Sequence, residues 1–203
     1  MSDSANIARH LPLMAAQQPA HPALKVPRGR APDGSIDYLS LTFAELDREV
    51  DAWCAPLQKS GVRRGDRTLI MVKQGLPLIA AVFALFKLGA VPIVIDPGMG
   101  LKSFLQCVAR SKPRVILGIP LARIISRVFS RTFSTVKIRI AASNSPTKQL
   151  SLSGQSNPLD YFTPVTVAAN ELAAILFTSG STGAPKGVCY EHGMFEAQVR
   201  MIR

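Results

Sequence analysis

Leu172-Ala173-Ala174-Ile175-Leu176-Phe177 runs without a break into Thr178-Ser179-Gly180-Ser181-Thr182-Gly183-Ala184-Pro185-Lys186-Gly187, and Val188-Cys189-Tyr190 follows. The apolar run predicts a buried strand and Gly187 to Tyr190 a second strand, so the loop between them joins two strands. Gly180, Gly183 and Gly187 let main-chain amides approach an anion closely. Thr178, Ser179, Ser181 and Thr182 add hydroxyl donors, and Lys186 adds a compact positive charge. That combination suits a polyphosphate. A plain Gly/Ser linker fits less well, because linkers do not ordinarily leave a buried strand and enclose a Pro-Lys-Gly turn. The loop is not a Walker A sequence: only Ala184 and Pro185 separate Gly183 from Lys186, and Gly187 stands where a hydroxyl residue is required. Gly98-Met99-Gly100 lacks the third glycine of a dinucleotide fingerprint, since Ser103 occupies its place.

Upstream of the loop, apolar runs and turn signals alternate. Asn6 to Gln18 has helical spacing, Ala23 to Val26 reads as a short strand, and a Pro-, Gly- and Arg-rich stretch reads as a loop. Thr42 with Glu45 forms a capping box that opens a helix through Leu46, Val50, Trp53 and Leu57, ending at Gly61. Then come strand Arg67 to Val72, helix Leu76 to Leu88, strand Val91 to Ile95 and a helix from about Leu101 to Ala109. Arg114 to Leu117 is a further strand. On the helix predicted over Leu121 to Arg131, Leu121, Ile124, Ile125, Val128 and Phe129 share one face and Arg123, Arg127 and Arg131 the other. Val136 to Ala141 is another strand and Ser143 to Pro158 a loop. The alternation predicts an α/β fold with a largely parallel sheet covered on both faces. The expected organisation is a lead-in segment (1–40), a βα sheet region (41–142), a connecting loop (143–170), and the phosphate-loop hairpin with the start of a helix (171–203).

Composition sets the outer bounds. The 203 residues are 47% hydrophobic and 18% charged, which excludes a disordered chain and is long enough to bury a core without disulfides. Cys54, Cys107 and Cys189 are odd in number and far apart, so buried thiols in a reducing compartment are expected, and no metal site. The N-terminal residues lack a signal peptide's basic start and apolar run, and the longest apolar stretch, Leu76 to Leu88, falls short of the ~20 residues a membrane span needs. The expected location is cytoplasmic.

The loop from Phe177 to Val188 resembles the phosphate-binding signature of the adenylate-forming, or AMP-binding, superfamily. Two other motifs of that family have counterparts in the same order, Leu41-Thr42-Phe43-Ala44-Glu45-Leu46 and the stretch from Phe86 to Pro97. Within it, the segments Asp96 to Gly100 and Tyr190 to Gln198 look most like the branch that closes β-lactones in long-chain olefin biosynthesis, often labelled fatty-acid CoA ligase. The resemblance implies ATP and Mg2+ as cofactors and adenylation of a long-chain β-hydroxy acid whose own hydroxyl displaces AMP. A long-chain fatty acid–CoA ligase, using coenzyme A, is the alternative. It further implies that Thr178, Ser179, Gly180, Ser181, Thr182, Gly183 and Lys186 hold the pyrophosphate end of ATP. His192 and Phe195 are secondary candidates near an acyl pocket, although a histidine in that position reads more simply as a solvated or capping residue.

The family's adenine-, ribose- and Mg2+-binding residues and its catalytic lysine follow this loop in sequence. The expectation is therefore an N-terminal portion that by itself neither adenylates nor forms lactone. Between Pro97 and Leu159 stand ten Lys or Arg and no acid, within a net charge of +11. A solvated face is the plain reading, and a basic interaction module at a membrane or a pathway enzyme is the non-catalytic alternative. Few aromatics interleave with these charges, so nucleic-acid binding by base stacking is not expected.

Overall fold

The computed structural model describes residues 4–142, 161–178 and 185–202. The expected loop Ser143 to Pro158 and the loop residues Ser179, Gly180, Ser181, Thr182 and Gly183 lie outside them. A 3-10 turn (Ile7–Arg9) leads into α1 (His10–Gln17), and β1 (Pro22–Arg30) pairs with β2 (Ile36–Thr42) as a separate antiparallel hairpin. Then follow α2 (Phe43–Lys59), β3 (Arg67–Met71), α3 (Leu76–Lys87), β4 (Val91–Ile95), α4 (Leu101–Ser111), β5 (Val115–Gly118), α5 (Pro120–Val128), β6 (Ile138–Ala141), β7 (Leu172–Thr178), β8 (Lys186–Glu191) and α6 (His192–Ile202).

The main sheet has the order β6-β5-β3-β4-β7-β8; every neighbouring pair is parallel except β7 with β8. Successive side chains of a strand point to opposite faces, and both faces are apolar here. Ile70, Val115 and Leu117 pack with α2 and α3 around Val50, Trp53, Leu57 and Leu85. Leu69, Ile93, Ile116, Ile175 and Phe177 pack on the other side with Cys107, Val108, Ala122 and Phe133. The sheet is therefore covered on both sides, as the strand–helix alternation requires.

Several helix ends follow their local chemistry. The Thr42 hydroxyl accepts from the Glu45 N–H, and the Glu45 carboxylate accepts from the Thr42 N–H at 2.8 Å, completing the capping box of α2. At the end of α3, the Gly89 N–H donates to the Phe86 carbonyl (3.0 Å) and the Ala90 N–H to the Leu85 carbonyl (2.8 Å), with Gly89 at φ +69°. This is the Schellman closure that glycine serves best.

Three expectations are corrected. The stretch Pro27-Arg28-Gly29-Arg30, read as loop, continues β1 against the unforeseen strand β2. A two-stranded exposed edge tolerates Pro and Gly there, and Arg28 pairs with Asp37 across it at 2.6 Å. The helix expected through Arg131 ends at Val128, and its apolar stripe is only partly buried. Ala122 and Ser126 face the core, Ile125 and Phe129 pack partly on it, and Leu121, Ile124 and Val128 are 55%, 58% and 69% exposed. The cause is close approach: a Cβ on Gly118 would lie 2.8 Å from the Ala122 Cβ, so α5 seats on its small residues and turns its large aliphatics outward. Finally, Cys54 and Cys107 are buried but Cys189, on the last strand, is exposed. Burial pushes the Cys54 thiol up to about 12, leaving it protonated and inert at neutral pH.

Candidate functional site

The hairpin β7–β8 sits at the carboxyl end of β4 and β7, the edge at which parallel sheets present ligand-binding loops. Its stem register sets Phe177 opposite Gly187 and Thr178 opposite Lys186. The two terminal residues of the sequence-derived phosphate set thus face each other across the stem, and Ser179, Gly180, Ser181, Thr182 and Gly183 belong to the connection between them. Thr178 and Lys186 are both exposed, and Lys186 forms no ion pair among the described residues.

The stem is fixed by packing and by one long-range bond. A Cβ on Gly187 would stand 2.7 Å from the Phe177 ring, so only glycine lets β8 cross that ring. Pro185 is buried, and its carbonyl accepts from Arg110 Nη1 of α4 at 3.0 Å. The residue just before Lys186 is therefore anchored to a helix 75 positions upstream in sequence. Sequence spacing held no signal for this contact. On the neighbouring strand, the Asp96 N–H donates to the Phe177 carbonyl at 3.4 Å, and Asp96 Oδ1 accepts from the Gly98 N–H at 2.9 Å. The Asp96-to-Gly100 segment is thereby held beside the hairpin.

His192 and Phe195 are placed elsewhere. His192 opens α6 at the far end of β8, about 20 Å along an extended strand from Lys186. It is buried rather than solvated: its ring meets the Phe86 ring at 5.9 Å, its main-chain N–H donates to the Glu171 carbonyl at 3.0 Å, and ring Nδ1 has no hydrogen-bond partner among the described residues. Burial holds this imidazole below its ordinary value, with Glu171 acting in the opposite direction and Arg64 in the same one. Phe195 stacks on Tyr190 at 5.6 Å and contacts Phe86 at 5.8 Å. Near these aromatics, the N-terminal segment and α6 enclose a groove of about 400 Å³ lined by Arg9, Gly193, Glu196 and Arg200 among others. Burial alone raises the Glu196 carboxyl, but its bonds with Arg9 and His10 outweigh that and hold it below the usual range. The structure does not bring this groove or His192 together with Lys186.

Among the described residues no group of three His, Cys, Asp or Glu side chains comes together to hold a metal ion, and no helix is long and apolar enough to cross a membrane. What the described stem offers chemically is the exposed Lys186 ammonium opposite the exposed Thr178 hydroxyl, next to a Pro185 whose carbonyl is held by Arg110. Such a set neutralises clustered phosphate oxygens.

The fold is that of the N-terminal part of an α/β protein of the adenylate-forming type. The chain matches the family described as AMP-binding enzyme over residues 13–203, and it belongs to that family. It is 36% identical over 211 aligned residues to olefin beta-lactone synthetase of Xanthomonas campestris pv. campestris, an alignment covering all of this chain and 37% of that protein. The protein of the same name from Stenotrophomonas maltophilia has the same identity and coverage. The chain thus spans about 37% of the length of these curated relatives. Among solved structures, the fatty acyl-adenylate ligase of L. pneumophila, in complex with acyl adenylate and pyrophosphate, aligns with a TM-score of 0.68 and 26% identity, over 97% of this chain and 32% of that one. A long-chain-fatty-acid–CoA ligase from Archaeoglobus fulgidus has a TM-score of 0.72 at 18% identity, covering all of this chain and 39% of that one, and speaks for the fold alone.

Proposed function

We propose that this chain supplies the triphosphate-binding loop of an enzyme that activates a long-chain β-hydroxy acid as its adenylate and closes it to a β-lactone. One observation carries the reading: the stem sets Thr178 opposite Lys186 at the carboxyl edge of the sheet, over a buried Pro185. Thr178, Ser179, Gly180, Ser181, Thr182, Gly183 and Lys186 hold the β- and γ-phosphates of ATP, with Mg2+ carried on the nucleotide. A carboxylate oxygen of the acid attacks the α-phosphorus, and the bond to pyrophosphate breaks. The loop stabilises the negative charge that accumulates on the departing group. In the second step the β-hydroxyl oxygen attacks the acyl carbon and gives up its proton, and AMP leaves. The β-hydroxy acid and the lactone rest on the 36% identity to the two olefin beta-lactone synthetases.

Equilibrium dialysis of the chain against Mg2+-ATP tests the loop. Retention is expected, weakened about tenfold to a hundredfold in Lys186→Ala, the loss of one charge-assisted phosphate contact. The 203 residues alone are expected to give no ATP–pyrophosphate exchange, and turnover above background would contradict that. In a polypeptide of the relatives' full length that carries this chain, a β-hydroxy acid and ATP are expected to yield lactone without added thiol. A strict requirement for coenzyme A would overturn the lactone reading and leave the adenylation reading standing.

A further inference from the structure

We propose that the outward face of α5 docks on an anionic lipid surface. Leu121, Ile124 and Val128, at positions i, i+3 and i+7, form one stripe along the helix and are all more than half exposed. Exposed Arg127 adjoins the stripe, and exposed Arg131 lies in the turn just beyond the helix. Lys137 and Arg139 of the neighbouring β6 region are exposed too, and Arg139 Nε reaches back to Ser126 Oγ of α5 at 3.1 Å. From residue 97 to residue 159 the chain has no Asp or Glu, so no carboxylate of α4, β5, α5 or β6 repels a negative headgroup.

The size of the stripe selects the partner. Three aliphatic side chains on a helix about 13 Å long cover far less than the roughly 800 Å² per side of a stable protein interface. They are enough for shallow insertion at the headgroup boundary, where arginines beside an apolar stripe add attraction to anionic lipid. This inference stands on α5 and its charges and not on the acid-activating reading, so either can fail without the other.

The test is co-sedimentation of the chain with vesicles of phosphatidylcholine alone and of phosphatidylcholine mixed with phosphatidylglycerol. Retention is expected on the anionic vesicles only, falling about tenfold or more when salt rises from about 0.05 to 0.5 M. Leu121→Ser with Ile124→Ser and Val128→Ser is expected to abolish it, and Arg127→Gln with Arg131→Gln to lower it at least tenfold. These side chains are already exposed, so an unchanged circular dichroism spectrum accompanies either loss. Absence of retention on anionic vesicles, equal retention on neutral ones, or retention that the triple serine variant leaves intact would overturn the proposal. So would a dimer in analytical ultracentrifugation that the triple variant dissociates without any vesicle binding, which would give this face to a second copy of the chain.

Discussion

His192 carries a pH dependence whose sign follows from its surroundings. In the unfolded chain its imidazole takes up a proton below about pH 6.5, while burial in the folded protein keeps it neutral to lower pH. The unfolded state then binds more protons, so the contribution of His192 is fully present above about pH 6.5 and is lost as pH falls below it. Urea denaturation is expected to show a fall in stability from pH 7 toward pH 5 that His192→Gln removes; an identical fall in both proteins would contradict the buried, neutral imidazole. None of this was legible locally, because Tyr190-Glu191-His192 reads as polar and the burial comes from packing in space, the Phe86 ring of α3 among its contacts. The same holds for Arg110, whose bond to Pro185 exists because α4 and β8 meet in space. Thr178 and Lys186, by contrast, stood out in the string itself as members of a glycine-rich loop between two apolar strands, although their pairing across the stem shows only in the fold.

Among the elements, those with strong local signals came out as read. The capping box opened α2, and glycine closed α3. At Gly89 two constraints coincide: φ is +69°, and a Cβ would stand 2.7 Å from Val165 Cγ2 and 3.1 Å from Arg64 Cγ. Gly89→Ala is expected to cost about 2 kcal/mol, combining the left-handed backbone penalty with a displaced neighbour, and to lower Tm by several degrees. An unchanged Tm would show that the closure of α3 tolerates a side chain. α5 displays the limit of such reading. Periodicity located its stripe, but which way the stripe turned was decided by the fit of Ala122 against Gly118, a contact between two elements. Of the β1–β2 hairpin only the stretch Ala23 to Val26 was read as strand, for a related reason: its strands are mostly exposed, so the apolar alternation that marks a half-buried strand is weak.

Across the whole molecule, α2 and α3 are joined by a buried ion cluster that neither helix shows alone. Lys87 Nζ donates to Asp47 Oδ1 at 2.7 Å and to Asp51 Oδ1 at 2.6 Å, and all three residues are buried. Burial pushes the Asp51 carboxyl up, while the bonds from Lys87 pull it back only in part. Removing the ammonium strands two carboxylates, so Lys87→Met is expected to cost about 3–5 kcal/mol in urea unfolding. Adding Asp47→Asn and Asp51→Asn to it should recover part of the loss; a Lys87→Met protein as stable as the parent would refute the clamp. The doubly covered, mostly parallel sheet was readable from the order of apolar runs, because both faces of each central strand must be dry. The sheet in turn carries the β7–β8 stem at its carboxyl edge. The most direct test of the account is calorimetric titration of Mg2+-pyrophosphate into the chain and into Lys186→Ala. The account predicts binding by the parent chain and a loss of at least tenfold in the variant; no binding by the parent, or equal affinity in both, would contradict it.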